Sequence, residues 1–195
     1  MPRVSAGHLA ARREQILDGS RACFSKYGYE GATVRRLEEA TGMSRGAIFH
    51  HFRDKDSLFL ELARQDARQM AKVVADQGMV QVMRDVLADA ATGGSSISWL
   101  GTRLEVSRRL RTDPAFRAEW EEQAKELTEA LHSRLARQRA AGVVRPDLPI
   151  SVLAQYLELA FEGLVSHLAM GLSAEDLRAV LDVVETSVRR LPTAD

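Results

Sequence analysis

Apolar residues recur three and four positions apart along nearly the whole chain, and almost no stretch alternates with the period of two that a half-buried strand needs. That pattern leaves an all-α fold as the expectation, and the helix punctuation agrees with it. A first helix is expected over residues 9–27, with Ile16, Cys23, Phe24 and Tyr27 on one face and Gly28 as the left-handed residue that ends it. Thr33 caps a short helix reaching about Ala40, Thr41-Gly42-Met43 is a tight break, and Ser44 caps another short helix ending near His51. Two short helices across a glycine turn make a candidate helix-turn-helix. A longer helix after Asp54, carrying Leu58, Phe59, Leu62, Met70 and Val73, joins this head (residues 1–55) to a body (residues 56–195).

The body's own helices begin near Gly78. Gly93-Gly94-Ser95-Ser96 separates a helix ending near Ala90 from one over residues 97–110. Asp113-Pro114 is a strong start, because Asp accepts free N–H groups and Pro at the first position lacks one; the helix it opens reaches Ala141 before Gly142. Residues 149–170 and 173–190 form two last helices, apolar over wider arcs than one core-facing stripe requires. A surplus arc needs a second partner: either the helices sit centrally in the body, or, the preferred reading, they pack against another copy of the chain as a homodimer.

The chain carries 27 basic and 27 acidic side chains, but the balance is uneven: residues 1–55 hold ten basic and six acidic groups, the remainder 17 and 21. A basic head on an acidic body suits an anion such as nucleic acid at one end only. Several classes are disfavoured. No run of about 18 uncharged apolar residues exists to span a membrane, and Met1-Pro2-Arg3-Val4-Ser5 lacks a secretory apolar core, so a cytoplasmic location is expected. Cys23 alone makes no internal disulfide and reads as a small core residue. An enzyme is not expected: there is no nucleophile turn or phosphate loop, and the histidines at 8, 50, 51, 132 and 167 form no ligand array.

In the head, a helix entering a major groove reads bases with its first turn, so Arg45, just behind the Ser44 cap, can reach guanine O6 and N7. Gly46 and Ala47 let the helix approach closely. Thr33 at a helix start and Lys55 at the start of the connecting helix suit phosphates, which set register and not sequence. Ile48 and Phe52 face the core. His50 and His51, about 100° apart on a helix, are poorly placed to share a metal; one of them against phosphate or base is the better reading.

The segments Gly31-Ala32-Thr33-Val34-Arg35-Arg36-Leu37 and Ser44-Arg45-Gly46-Ala47-Ile48-Phe49-His50-His51-Phe52-Arg53-Asp54-Lys55 resemble the DNA-binding domain of the TetR family of bacterial repressors over about 50 contiguous residues. The resemblance implies a three-helix head on a helical ligand-binding body that dimerises through its last two helices and binds a pseudo-palindromic DNA operator. By family position His51 is the phosphate partner, and His50 lies between a DNA contact and a solvated surface. Phe49 stands where the family usually has tyrosine, so a hydroxyl contact to phosphate gives way to an apolar one.

A finer resemblance runs through Arg103-Leu104-Glu105-Val106-Ser107 and Leu110-Arg111-Thr112-Asp113-Pro114-Ala115-Phe116-Arg117-Ala118, which are similar to an actinobacterial branch of that family, the repressors of aconitase genes. It implies control of a tricarboxylic-acid-cycle gene and sensing of citrate as its magnesium complex, with no cofactor otherwise required. In the residues themselves, the series Trp120, Ala124, Leu127, Leu131 is continued by Arg134, and Glu185 stands between Val184 and Val188. An ordinary snorkelling or salt-bridged residue at the helix surface explains Arg134 equally well; the resemblance favours a pocket. Arg134 would then meet citrate carboxylates, while Glu185 would pair with Arg134 in the empty state or help hold hydrated Mg²⁺. Arg103 and Arg108 are secondary candidates, and Glu158, Glu162 and His167 divide between pocket and dimer seam in a way the sequence leaves open. Within the family the alternative is an apolar effector or a metal such as iron; outside it, a ligand-independent architectural DNA-binding protein.

Overall fold

The computed structural model describes residues 6–92, 102, 104 and 107–190. Among them are nine α-helices: α1 (Ala6–Gly31), α2 (Val34–Thr41), α3 (Arg45–His51), α4 (Lys55–Asp76), α5 (Met79–Ala91), α6 (Ser107–Thr112), α7 (Pro114–Ala140), α8 (Ile150–Ala169) and α9 (Leu177–Val188). No strand occurs among the described residues; a single antiparallel bridge joins Val144 to Arg189. No described helix is long and apolar enough to cross a membrane. The Gly93–Ser96 break, most of the helix expected over residues 97–110, Arg103, the Arg108 side chain and the stop at Pro192 lie outside the described residues.

The described residues fall into two compact units, one within residues 1–64 and 98–120, the other within 65–97 and 121–195. The expected boundary after residue 55 falls at the start of α4, whereas these units divide that helix after residue 64 and group residues 98–120 with residues 1–64. The reason is a set of long-range contacts that local pattern does not carry. Arg109 on α6 donates to both carboxylate oxygens of Asp56, at 2.6 Å each, and to the Tyr29 hydroxyl at 2.9 Å. Its guanidinium also lies 4.2 Å from the Phe116 ring centroid. The Arg109 hydrogen bond holds the Asp56 carboxyl below the usual carboxylate range against partial burial, while burial and the Asp56 contact push the Tyr29 phenol up.

Beneath this cluster the first unit is aromatic. Phe24, Tyr29 and Phe59 stack and cross edge to face with centroids 5.0–5.9 Å apart, and Trp120 stacks on Phe59 at 6.1 Å. Tyr27, expected in this core, is 37% exposed, and Tyr29 takes its place at 3%. Gly28 accounts for Tyr29: its φ of 69° interrupts α1 as expected, and the chain resumes helix for a turn to Gly31 in a different rotational phase. Along α4 the core positions are Leu58, Phe59, Leu60, Leu62, Ala67, Ala71 and Val74, whereas Met70 and Val73 are half-buried.

In the second unit α5 packs on α8 and α9. Met83, Val86, Leu87, Leu157, Phe161, Leu181 and Val184 are among its buried side chains. α7 starts as the sequence dictates, with the Phe116 N–H donating to Asp113 Oδ1 at 3.0 Å behind Pro114. After α7, Gly142 (φ 75°) turns the chain so that Arg190 N–H meets Val143 O at 2.8 Å and Arg145 N–H meets Val188 O at 3.1 Å. α8 and α9 leave a second apolar stripe uncovered: Val152, Tyr156 and Leu159 on α8 and Val180 and Val183 on α9 are 37–68% exposed.

Candidate nucleic-acid interface and body cavity

The helix-turn-helix is built by short-range hydrogen bonds. The Arg36 N–H reaches Thr33 Oγ1 at 3.4 Å to start α2, and Gly42, at φ 66°, ends it with its N–H on Glu38 O at 3.0 Å. Thr41 braces the turn, donating to Leu37 O at 2.7 Å and accepting from Met43 N–H at 3.2 Å, and Gln15 of α1 pins Thr41 O at 3.0 Å. Ser44 then caps α3, its Oγ accepting from Ala47 N–H at 3.3 Å. Leu37, Ile48 and Phe52 are buried and hold the two helices to α1 and each other's side of the core.

What remains outward on α3 is Ser44, Arg45, Gly46 and His50, with Ala47, Phe49 and His51 half-buried. A Cβ on Gly46 would meet nothing within 4 Å, so the fold does not require glycine there and its bareness serves whatever approaches from outside. His50 and His51 meet edge to face with centroids 5.6 Å apart. Among the described residues no three His, Cys, Asp or Glu side chains converge on a metal-sized point. Lys55 is partly occupied: its Nζ donates to Tyr29 O at 3.0 Å and sits 4.4 Å from the Tyr29 ring centroid, with its other N–H bonds still to place. An exposed arginine in the first turn of a capped helix, carried by a tight glycine turn on a basic head, defines a DNA-binding helix-turn-helix protein.

In the second unit Arg134 and Glu185 line one cavity of about 120 Å³, together with Gln77, Gln138, Arg189 and an aliphatic set that includes Met79, Leu131, Val144 and Leu157. The expected pairing between the two charges is not what the structure shows. Arg134 Nη1 donates to the last carbonyls of α4, Ala75 O at 3.0 Å and Asp76 O at 2.6 Å, where a cation meets the negative end of the helix. It also lies against Gly78 (φ 98°), where an added Cβ would stand 3.0 Å from Arg134 Nε. Glu185 instead pairs with Arg84 at 2.8 Å and with Arg189; the Arg189 hydrogen bond first, and Arg84 with it, hold its carboxyl below the ordinary range despite partial burial.

Glu158, Glu162 and His167 are absent from the cavity lining. Glu158 accepts from Thr128 at 3.4 Å, and His167 Nε2 lies 2.7 Å from Ser173 O. Sequence reasoning missed Arg84 and Arg189 as partners of Glu185, although Arg189 stands four residues after it. It also missed the Tyr29, Asp56 and Arg109 cluster, for which the Asp113 that follows Arg109 by four was the one local sign.

Residues 16–62 match the family described as "Bacterial regulatory proteins, tetR family". The chain is 56% identical over 190 residues to the HTH-type transcriptional repressor Rv1474c of Mycobacterium tuberculosis, covering 97% of this chain and all of the relative. It is 57% identical over 178 residues to the HTH-type transcriptional repressor AcnR of Corynebacterium efficiens (91% and 93% covered) and 54% identical over 188 residues to AcnR of Corynebacterium glutamicum (96% and 98%). Among solved structures, a TetR transcriptional regulator of Chloroflexus aurantiacus superposes with a TM-score of 0.72 at 22% identity, over 94% of this chain and 98% of that one. Salmonella enterica GusR gives 0.71 at 16% identity, over 95% and 98%. The chain belongs to the TetR family of bacterial regulatory proteins, as a helix-turn-helix transcriptional repressor and not an enzyme.

Proposed function

We propose that this repressor acts on an aconitase gene as a homodimer and that citrate with magnesium is its effector, held at the cavity of Arg134 and Glu185. The observation that carries the reading is the convergence of these two charges, 51 positions apart in the chain, on one small cavity. Relatives named AcnR over nearly the full length support it, as does the earlier resemblance. At about 120 Å³ the cavity is well below the roughly 300–1,000 Å³ of a drug-sized pocket, which favours a small effector over a bulky one. The donor set fits the metal in one way only. Glu185 would supply a single hard carboxylate oxygen on giving up its contact with Arg84 or Arg189, with the effector and water completing the shell of a Mg²⁺ ion whose charge offsets the citrate carboxylates. Arg134 would bind a carboxylate by charge-assisted hydrogen bonds.

Calorimetry of citrate binding with and without Mg²⁺ tests this. Arg134→Ala should weaken citrate binding about 10- to 150-fold, the equivalent of a charge-assisted contact of about 1.5–3 kcal/mol. Glu185→Gln should lessen the magnesium dependence more than citrate binding itself. Since Arg134 also holds the end of α4, the melting temperature of the unliganded variant is measured alongside; citrate binding unchanged in Arg134→Ala, whatever the melting temperature, sinks the assignment. The aliphatic share of the lining favours a second reading, an apolar effector. Stabilisation by apolar compounds and not by citrate with Mg²⁺ in a melt would decide for it.

On the DNA side we assign Arg45 as the base reader, with Ser44, Gly46 and Phe49 as further DNA contacts, His50 as either a contact or a solvated residue, and Thr33, His51 and Lys55 toward phosphate. Its exposure on the first turn supports this. Arg45→Ala should cost about 1–3 kcal/mol on the operator and relax sequence preference, whereas Lys55→Ala should weaken all duplexes alike and flatten the salt dependence. A competition titration in which Arg45→Ala keeps the wild-type preference would remove Arg45 from that role.

A further inference from the structure

The two adjacent glutamates of α2 have different fates. Glu39 lies along α2 with Arg35, Nε to Oε1 at 3.0 Å, an exposed pair one helical turn apart. Glu38 crosses to the next helix, where its Oε1 accepts the backbone N–H of Arg45 at 2.6 Å. The Arg45 N–H is one of the donors at the start of α3 that no carbonyl of the helix itself can reach. Ser44 covers the Ala47 N–H, and a carboxylate from the preceding helix covers the Arg45 N–H.

This contact puts a half-buried carboxylate directly behind Arg45, the exposed residue proposed above as the base reader, and the inference rests on that reading. It has two physical effects. The first turn of α3, only seven residues long, is tied to α2 by a charge-assisted hydrogen bond and so cannot tilt independently. The same carboxylate repels phosphate, so closing on any duplex is penalised unless base contacts by the first turn compensate. Cations on the same element do not cancel it: Arg36 donates to Gly31 O at 2.8 Å and lies over the Tyr27 ring at 4.1 Å, and Arg35 is on Glu39.

We propose that Glu38 is a positioning and specificity-determining residue of the DNA interface, orienting Arg45 through its backbone N–H and raising the ratio of operator to non-operator affinity. The test uses the full-length protein, the duplex it selects from a random-sequence pool, and a mixed-sequence duplex of equal length, each titrated at several salt concentrations. Glu38→Gln keeps an acceptor for the Arg45 N–H and removes the charge. It should melt like the wild type yet bind the mixed duplex about three- to tenfold more tightly, with the operator affinity changed less, so that the ratio falls. Glu38→Ala removes the acceptor as well and should lower operator affinity while still tightening the mixed duplex. A purely structural role would lower the melting temperature of both variants and weaken both duplexes in proportion. An unchanged ratio in Glu38→Gln, or a loss in Glu38→Ala that is equal on both duplexes, overturns the proposal.

Discussion

Leu159→Glu is expected to turn the protein into a monomer and to lower its affinity for a two-half-site operator by about 10²–10⁴-fold. Leu159 is 68% exposed in the single chain, the most exposed of the apolar stripe it forms with Val152 and Tyr156 on α8 and Val180 and Val183 on α9. If that stripe is the seam of the proposed dimer, two-fold symmetry brings two glutamates into it, each losing water without a cation to pair with. The single chain loses nothing by the change, so its melting temperature and helicity should stay near the wild type. Sedimentation at micromolar concentration reads the outcome: the wild type at twice 21.6 kDa and the variant at 21.6 kDa. A variant still dimeric would move the seam elsewhere.

Gly19→Ala should destabilise the head by about 2–4 kcal/mol and lower its melting temperature by roughly 5–15 °C. A Cβ on Gly19 would stand 2.6 Å from Ala40 O and 2.7 Å from Thr41 Cα. Both are backbone atoms, so no rotamer change relieves the clash; α1 and α2 must separate, and with them the Gln15 contact that pins the turn between α2 and α3. Helix propensity alone argues the other way, since alanine is better than glycine by about 1 kcal/mol in a helix interior. Gly7 supplies the control. It too lies in α1, but a Cβ there meets nothing within 4 Å, so Gly7→Ala should be neutral or slightly stabilising. A Gly19→Ala protein that melts within a degree of the wild type would contradict the close approach of α1 and α2.

Much of the head was legible because its signals act over three or four residues. Thr33, Ser44 and Asp113 each cap where the sequence placed a cap, Gly42 closes its helix in the left-handed conformation, and Pro114 opens α7. Each is a single side chain or φ angle acting on its own neighbours. Tyr29 was missed for a related reason: periodicity extrapolates one helical phase, and the interruption at Gly28 changes the phase of the residues that follow it.

Arg134 marks the boundary between the two kinds of information. That an arginine breaks an apolar series is written in the sequence, and so is the need of such a charge for a partner. Which partner it finds is not, because the carbonyls of Ala75 and Asp76 lie 59 and 58 positions away and become acceptors only where α4 happens to end. Arg109 and Asp56 are 53 apart and Arg84 and Glu185 101 apart, and in each case burial of the surrounding helices had to bring the charges together before they could select one another. By itself the sequence determined the helices, their caps and which side of α3 is left exposed, through local hydrogen bonding and apolar period. Only the tertiary structure decided the ion pairs, the cavity shared by Arg134 and Glu185 and the crossing of Glu38 to Arg45, since backbone carbonyls and side-chain charges have no sequence preference for one another until packing sets the distance between them.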